Sequence, residues 1–513
     1  MTTFSSGNKR IARNTILLYI RMIIVMIVTL FTSRIVLDLL GAEDYGINNI
    51  INGVIILFSF LNTALLTATQ RFLNYYIGKG NTEKVNTVFC MSMNTYIILS
   101  IVVLVLGETI GLWFVNTKLN IPESRMYAAQ WVYQFTLIQF ILNLLRVPYN
   151  ASIIAYEKMD FYAYISLFEV FAKLIICYIL YIVSFDKLIT ISVLHTIIQF
   201  STLVFYYIYC KKAFVTTKYR LFWESKMFKK IFGFSGWSLF GSLANLSAQQ
   251  GLNILLNIFY GVTVNAAAGI ANQVTHAVNG FVSNFQMAYS PQIIKSYASE
   301  EYKRFYGLII KTSKFSFYLM AIFAFPLIIC TNEVLEIWLV DVPEYTAIFC
   351  KLILVFLLMD AFMMPMVFAV QATGSIRNYQ IIMSLIIFLN FPIAYVGLKT
   401  GMPPYCVWFA RILINAILFV ARLVYLYKHL EFPVSSYLKH SLVPVLVVSC
   451  CVIPLPMYVH LYITNTWLNV IFVCLSFLIC YAFFVYTFGL SKTEKDTIIQ
   501  AISNRFHYKR KKS

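Results

Sequence analysis

The sequence predicts an all-α polytopic membrane protein of about fourteen transmembrane helices, and three observations predict it. Of 513 residues, 60 % are hydrophobic and only 12 % charged, too little charge to keep a globule dissolved. Apolar runs of spanning length recur along the whole chain, bounded by charged or Gly/Pro-rich breaks. Basic residues collect in alternate breaks, as loops on one side of a membrane do.

The runs place spans at 14–40, 46–69, 87–115, 127–149, 160–184, 189–210, 231–259, 263–290, 307–330, 345–371, 378–398, 405–427, 437–459 and 464–488. The stretch before Asn14 is polar and basic, and the apolar run after it is too long for a signal-peptide core, so it is expected to remain as the first span. The seventh and eighth spans are long and unusually polar.

Thirty of the forty Lys and Arg residues fall on one side of this arrangement, from Lys9, Arg10 and Arg13 through loop residues that include Arg71 and Arg422 to the run Lys509 to Lys512. Only Lys118, Arg125, Lys187 and Lys399 fall on the other, and six lie within spans. Both termini are therefore expected in the cytoplasm, as an even number of crossings requires. The formal charge of +19 is explained by this orientation, and no nucleic-acid partner is expected.

A weak internal repeat divides the spans. Gly41 to Val54 matches Gly261 to Val274, pairing Gly41 with Gly261 and Asn52 with Asn272, while Pro148, Ala155 and Tyr162 match Pro365, Ala372 and Tyr379. The expected organisation is an N-terminal six-helix bundle (1–210), a basic cytoplasmic linker (211–230) and a second six-helix bundle (231–430). Two additional spans (431–490) and a basic cytoplasmic tail (491–513) complete it. Because six crossings separate the halves, their expected relation is a pseudo-twofold along the membrane normal.

Charges inside spans cost several kcal/mol unless they face protein or water, so Arg21, Arg34, Arg146, Lys173, Lys351 and Arg411 are candidate phosphate-binding residues. Glu108, Glu169 and Asp360 are the acids they outnumber. Arg34 and Arg411 are near enough to span ends to snorkel, Arg146 could serve only topology, and Glu169 with Lys173 could simply pair at i,i+4. Amides form a second pattern. Asn265, Asn272, Asn279 and Gln286 recur every seven residues, His276 shares their face, Asn245, Gln249, Asn253 and Asn257 lie on the preceding span, and Asn52 on the second. Such faces either bind helices together or line a hydrated cavity. A cavity of that kind fits phosphate together with sugar hydroxyls, although drug or peptide cavities would look alike. Glu169, Asp360 and His276 are candidates for coupling to an ion, His276 alternatively being a neutral, hydrogen-bonded residue.

No G-x-x-x-x-G-K-[ST], HExxH, CxxC or GxSxG occurs, so no P-loop ATPase, zincin or hydrolase chemistry is expected, nor any cofactor. The ten cysteines are scattered, most of them within apolar runs, and are read as small core residues rather than disulfides or metal ligands. Outside loops are short, which argues against an external catalytic domain.

The ordered set Asn14-Thr-Ile-Leu-Leu-Tyr-Ile-Arg21, Leu40-Gly-Ala-Glu-Asp-Tyr-Gly46, Gln70-Arg71-Phe72 and Val147-Pro-Tyr-Asn-Ala-Ser-Ile-Ile-Ala-Tyr-Glu-Lys158 resembles the Wzx-type polysaccharide flippases of the multidrug/oligosaccharidyl-lipid/polysaccharide exporter superfamily. The resemblance covers most of the chain and is strongest over the first 160 residues. It implies a MATE-like V of two six-helix bundles around a cationic cavity that opens to each side in turn, in the bacterial inner membrane. The implied partner is an undecaprenyl-diphosphate-linked oligosaccharide, moved outward for O-antigen, lipopolysaccharide or capsule assembly, with polysaccharide polymerase machinery as a further partner. In the similar lipid II flippases the two extra helices form a groove for membrane lipid. A drug/cation antiporter of the same superfamily, or a membrane polysaccharide polymerase or ligase, are the alternatives.

Overall fold

The computed structural model describes residues 2–56, 59–118, 121–339, 342–463, 465–492 and 494–496, and among them every regular element is helical. In chain order these are α1 (Thr2–Ile56), α2 (Ser59–Gly78), α3 (Thr82–Leu106), α4 (Leu112–Lys118), α5 (Glu123–Ala155), α6 (Met159–Ile182), α7 (Lys187–Ala213), α8 (Ser225–Ala298) and α9 (Tyr302–Ile329). They continue with α10 (Thr331–Trp338), α11 (Thr346–Thr373), α12 (Arg377–Phe388), α13 (Asn390–Lys399), α14 (Cys406–Leu430), α15 (Val434–Tyr437), α16 (Val443–Val452), α17 (Pro454–Tyr462) and α18 (Thr466–Phe484). Ten segments among the described residues are long and apolar enough to cross a membrane, and they coincide with expected spans three to six and nine to fourteen. The chain is a multi-pass membrane protein.

The other four expected spans fall on α1, α2 and α8. Within α1 the backbone leaves helical geometry at Gly41, with φ 74° and ψ 168°, a conformation that glycine adopts without steric cost. The break lies between the first and second expected spans. α8 counts 74 residues, which would be about 110 Å if straight, yet both its ends meet the α2–α3 turn. Lys84 Nζ is 3.4 Å from Glu224, just before α8, and the Ser299 hydroxyl, just after it, donates to the Gly78 carbonyl. The chain must reverse in between, as two spans at 231–259 and 263–290 require.

Two compact units emerge. The first comprises Met1–Leu243, Met287–Tyr302 and Phe368–Ile381; the second comprises Ala244–Gln286, Lys303–Val367 and Ile382–Ser513. In the first, α5 is central, packed on α1, α2, α3 and α7, with Ile51, Tyr96, Tyr133, Leu137, Leu144 and Leu188 in the shared core. Arg125 at the start of α5 ties three helices together: its Nε donates to Asp44 on α1 at 2.8 Å and its Nη1 to Asp186 at 2.6 Å. Asp186 also caps α7 by accepting from the backbone of Leu188 and Ile189. Its carboxyl sits below the usual range because burial, which alone would raise it, is outweighed by these donors.

The basic linker is bound along one face of α3. Asn86 Nδ2 donates to the carbonyls of Thr216 and Lys218, both at 2.8 Å, and Asn94 Nδ2 donates to that of Phe222 at 2.9 Å while its Oδ1 accepts from the Tyr219 hydroxyl at 2.7 Å. Asn86 and Asn94 are eight residues apart and so share that face.

In the second unit, α17 and α18 pack as a pair, with α16 and α10 against α18. The hairpin is fixed to α9, where the Tyr481 hydroxyl donates to the Tyr318 carbonyl at 2.7 Å and buried Lys314 pairs with Glu494 at 2.7 Å.

Candidate functional site

Four helices of the first unit bring a set of polar side chains together at membrane depth. α6 supplies Tyr162, Glu169 and Lys173, spaced so that Glu169 and Lys173 stand one turn apart. Lys173 Nζ lies 3.2 Å from Glu169 Oε1, and Arg146 Nη1, from α5, lies 3.4 Å from Oε2. Gln199 of α7 donates to Oε1 at 3.1 Å, and Arg146 Nη2 also donates to Asn143 at 3.1 Å. Arg146 stands 5.6 Å from the centroid of the Tyr206 ring. Arg21 of α1 lies over Tyr162, 4.7 Å from its centroid, and within electrostatic reach of Tyr206. Its Nε is buried and has no hydrogen-bond partner among the described residues.

The electrostatic balance follows directly: Arg21, Arg146 and Lys173 against Glu169 leave a net +2. Glu169 accepts from three donors, whereas among the described residues the guanidinium of Arg21 is steadied by a ring face. A cation with an unfilled donor that shares the surroundings of Tyr206 with Arg146, in a group only a fifth exposed at Arg146 and Glu169, is suited to an anion that brings its own oxygens. Gln199, Tyr206 and His195, the last within electrostatic reach of Lys173 and Glu169, belong to the same group and were not singled out by the sequence. Their only signal was a polar side chain inside an apolar run.

The remaining sequence candidates are dispersed. Asp360 of α11 lies within electrostatic reach of Arg411 and Arg422 of α14, and Arg411 stacks on Phe356 at 4.2 Å. Arg422, a residue counted with the cytoplasmic cations from sequence, is only 8 % exposed, with Nε and Nη1 buried and without a hydrogen-bond partner among the described residues. Lys351 is half-buried nine residues before Asp360, about 13 Å along α11. Among the amides, Asn52 donates back to the Asn48 carbonyl at 2.7 Å, Asn253 and Asn272 are half-buried, and Asn245 and Asn279 are exposed. The side chains of Arg34, Gln249 and His276 lie outside those described.

Arg71, read from sequence as a loop cation, is 5 % exposed. Its Nε donates to the carbonyl of Gln371 at 3.0 Å and its Nη2 to that of Ala372 at 2.9 Å, closing the end of α11. Burial lowers its pKa to about 10.

Residues paired by the expected repeat fall at similar helix positions, but the charges have no counterparts. Pro148 and Pro365 occupy matching places near the ends of α5 and α11, and Tyr162 and Tyr379 both fall in the first turn of the helix that follows. By the same offsets, however, Arg21, Arg146, Glu169 and Lys173 correspond to Gly241, Met363, Ile386 and Asn390. At Gly241 even a Cβ would collide with the Gln380 amide. The Arg21, Arg146, Lys173 and Glu169 arrangement is therefore not repeated at the matching positions.

The fold is that of MATE-like transporters. An outward-facing multidrug resistance MATE family transporter of the MOP superfamily matches with a TM-score of 0.71 at 15 % identity, covering 82 % of this chain and 95 % of that one. A MATE protein in the straight conformation gives 0.70 at 15 % identity, over 84 % and 97 % of the respective chains. A MOP superfamily transporter from Pyrococcus furiosus, whose reversed binding-pocket polarity suggests a different function for it, gives 0.68 at 15 %, over 84 % and 96 %. No protein-family model matches the chain, and no curated protein matches it.

Proposed function

We propose that this protein is a transporter that moves a polyprenyl-diphosphate-linked oligosaccharide across the bacterial cytoplasmic membrane, presenting its binding site to each leaflet in turn. The observation that carries the reading is the net +2 group of the first unit, in which Arg21 Nε is enclosed without an acceptor among the described residues. Holding such charge within a hydrocarbon-spanning bundle is costly, and a diphosphate would offset it while supplying acceptors to Arg21, Arg146 and Lys173. Without a nucleotide-binding motif in the sequence, the driving force is an ion gradient or the membrane potential.

A drug/cation antiporter is the second reading, favoured by the fold it shares with a multidrug transporter. It would need a site of opposite sign, and the Pyrococcus furiosus protein indicates that this fold carries pockets of either polarity. The test is reconstitution with a labelled polyprenyl-diphosphate saccharide, scoring leaflet transfer with and without imposed proton, sodium and voltage gradients. Transfer that depends on Arg21, Arg146 and Lys173 supports the proposal; no transfer, with efflux of organic cations instead, overturns it.

A further inference from the structure

We propose that the second unit holds a zinc-binding site formed by Cys330, Glu333 and His460. The ligand atoms of these three residues lie within 4.8 Å of one another. Cys330 precedes α10, Glu333 stands in its first turn, and His460 lies near the end of α17. Thiolate, carboxylate and imidazole are the donors zinc takes, and bonds of about 2.0–2.3 Å in a tetrahedron set ligand atoms roughly 3.3–3.8 Å apart. His460 Nδ1 and Glu333 Oε1 are 3.8 Å apart.

Two further observations point to a cation. Glu333 Oε2 is buried and has no hydrogen-bond partner among the described residues. Asn469, 4 % exposed, donates its Nδ2 to the carbonyls of His460 at 3.0 Å and Ile463 at 2.7 Å. That fixes its Oδ1 toward the group, 3.0 Å from His460 Nδ1 and 3.8 Å from Cys330 Sγ. In the metal-free protein the amide oxygen accepts from Cys330 Sγ–H and His460 Nδ1–H; loss of the thiol proton and transfer of the imidazole proton to Nε2 would leave sulfur, nitrogen and carboxylate lone pairs facing one point, with the amide oxygen as a fourth ligand or an orienting partner. On binding, the Cys330 thiol gives its proton to solvent and the imidazole binds through a neutral nitrogen. The thiolate and carboxylate then neutralise the divalent ion, so the occupied site adds no net charge to the bundle. Zinc would join α10 to the α17–α18 hairpin.

The full chain in detergent, stripped with chelator, is titrated with Co²⁺ and then with Zn²⁺. The expected result is one Co²⁺ per chain with a thiolate charge-transfer band that Zn²⁺ bleaches, and a rise in Tm with added Zn²⁺. Cys330→Ser is expected to abolish the band, and Glu333→Gln and His460→Gln to weaken binding at least tenfold, each eluting as a single species with its metal-free Tm recorded. The wild-type titration alone keeps the proposal falsifiable if a variant fails to fold. Absence of a saturable band in wild type, or a band unchanged in Cys330→Ser, overturns it.

Discussion

Arg21 stands over the ring of Tyr162, 4.7 Å from its centroid, with its Nε enclosed and lacking an acceptor among the described residues. The side chain is held by π contact and local charge, so its donors are available to a ligand. Arg21→Ala is expected to slow leaflet transfer of the diphosphate-linked saccharide about 10- to 100-fold, the worth of a charge-assisted hydrogen bond. Arg21→Lys, which keeps the cation but loses the planar fork, should fall between. Membrane insertion, checked by detergent-solubilised yield, should be unchanged in both.

Glu169 restrains Arg146 and Lys173, at 3.4 and 3.2 Å. Glu169→Gln leaves the cations uncompensated and should lower stability by about 1–3 kcal/mol, less than a fully buried pair because the group is partly exposed. A polyprenyl diphosphate should restore more Tm to this variant than to wild type. Equal restoration would mean that the carboxylate and the ligand do not share these cations.

Asp186 gives a pH dependence. Its carboxyl is held below its ordinary value despite burial, by Arg125 and two backbone N–H groups. A depressed folded pKa contributes stability above the unfolded value, near 4, and loses it as pH falls through the folded value. Asp186→Asn, which can still cap α7, should cost about 0.5–1.5 kcal/mol at neutral pH. Thermal melts between pH 3 and 7 should show this difference shrinking below pH 4.

Gly374 tests the Arg71 cap. It has φ +79°, and a Cβ there would collide with the Arg71 guanidinium. Gly374→Ala should destabilise by about 1–3 kcal/mol, and Arg71→Met by a similar amount through the freed carbonyls of Gln371 and Ala372. Because both act on one contact, the double variant should fall short of the sum in a denaturation series.

The membrane helices were legible because hydrocarbon thickness imposes a length and a composition on each span, and spans three to six and nine to fourteen needed little else. The break in α1 at Gly41 was legible as a glycine-bounded gap between two apolar runs. Long-range partners were not. Arg71 and Arg422 looked like loop cations because charge near a span end marks topology, whereas their burial comes from helices far away in sequence. Asn86 and Asn94 resembled any polar residues in a span, and only the fold shows that they bind the linker. Among the candidate cations, Arg21, Arg146 and Lys173 were identifiable singly. Their meeting around Glu169 and Tyr206 depends on the packing of α1, α5, α6 and α7, which periodicity does not encode.

The net +2 of the Arg21, Arg146, Lys173 and Glu169 group also has an electrical consequence for the proposed cycle. Cargo phosphates would cancel that charge, so the loaded carrier would cross the field almost neutral. The empty carrier would not. Each charge that traverses 100 mV exchanges about 2.3 kcal/mol with the membrane potential, and an inside-negative potential pulls an unoccupied cationic site back toward the cytoplasm. Voltage would then act on the return stroke, resetting the empty protein for its next load rather than pushing the glycan outward.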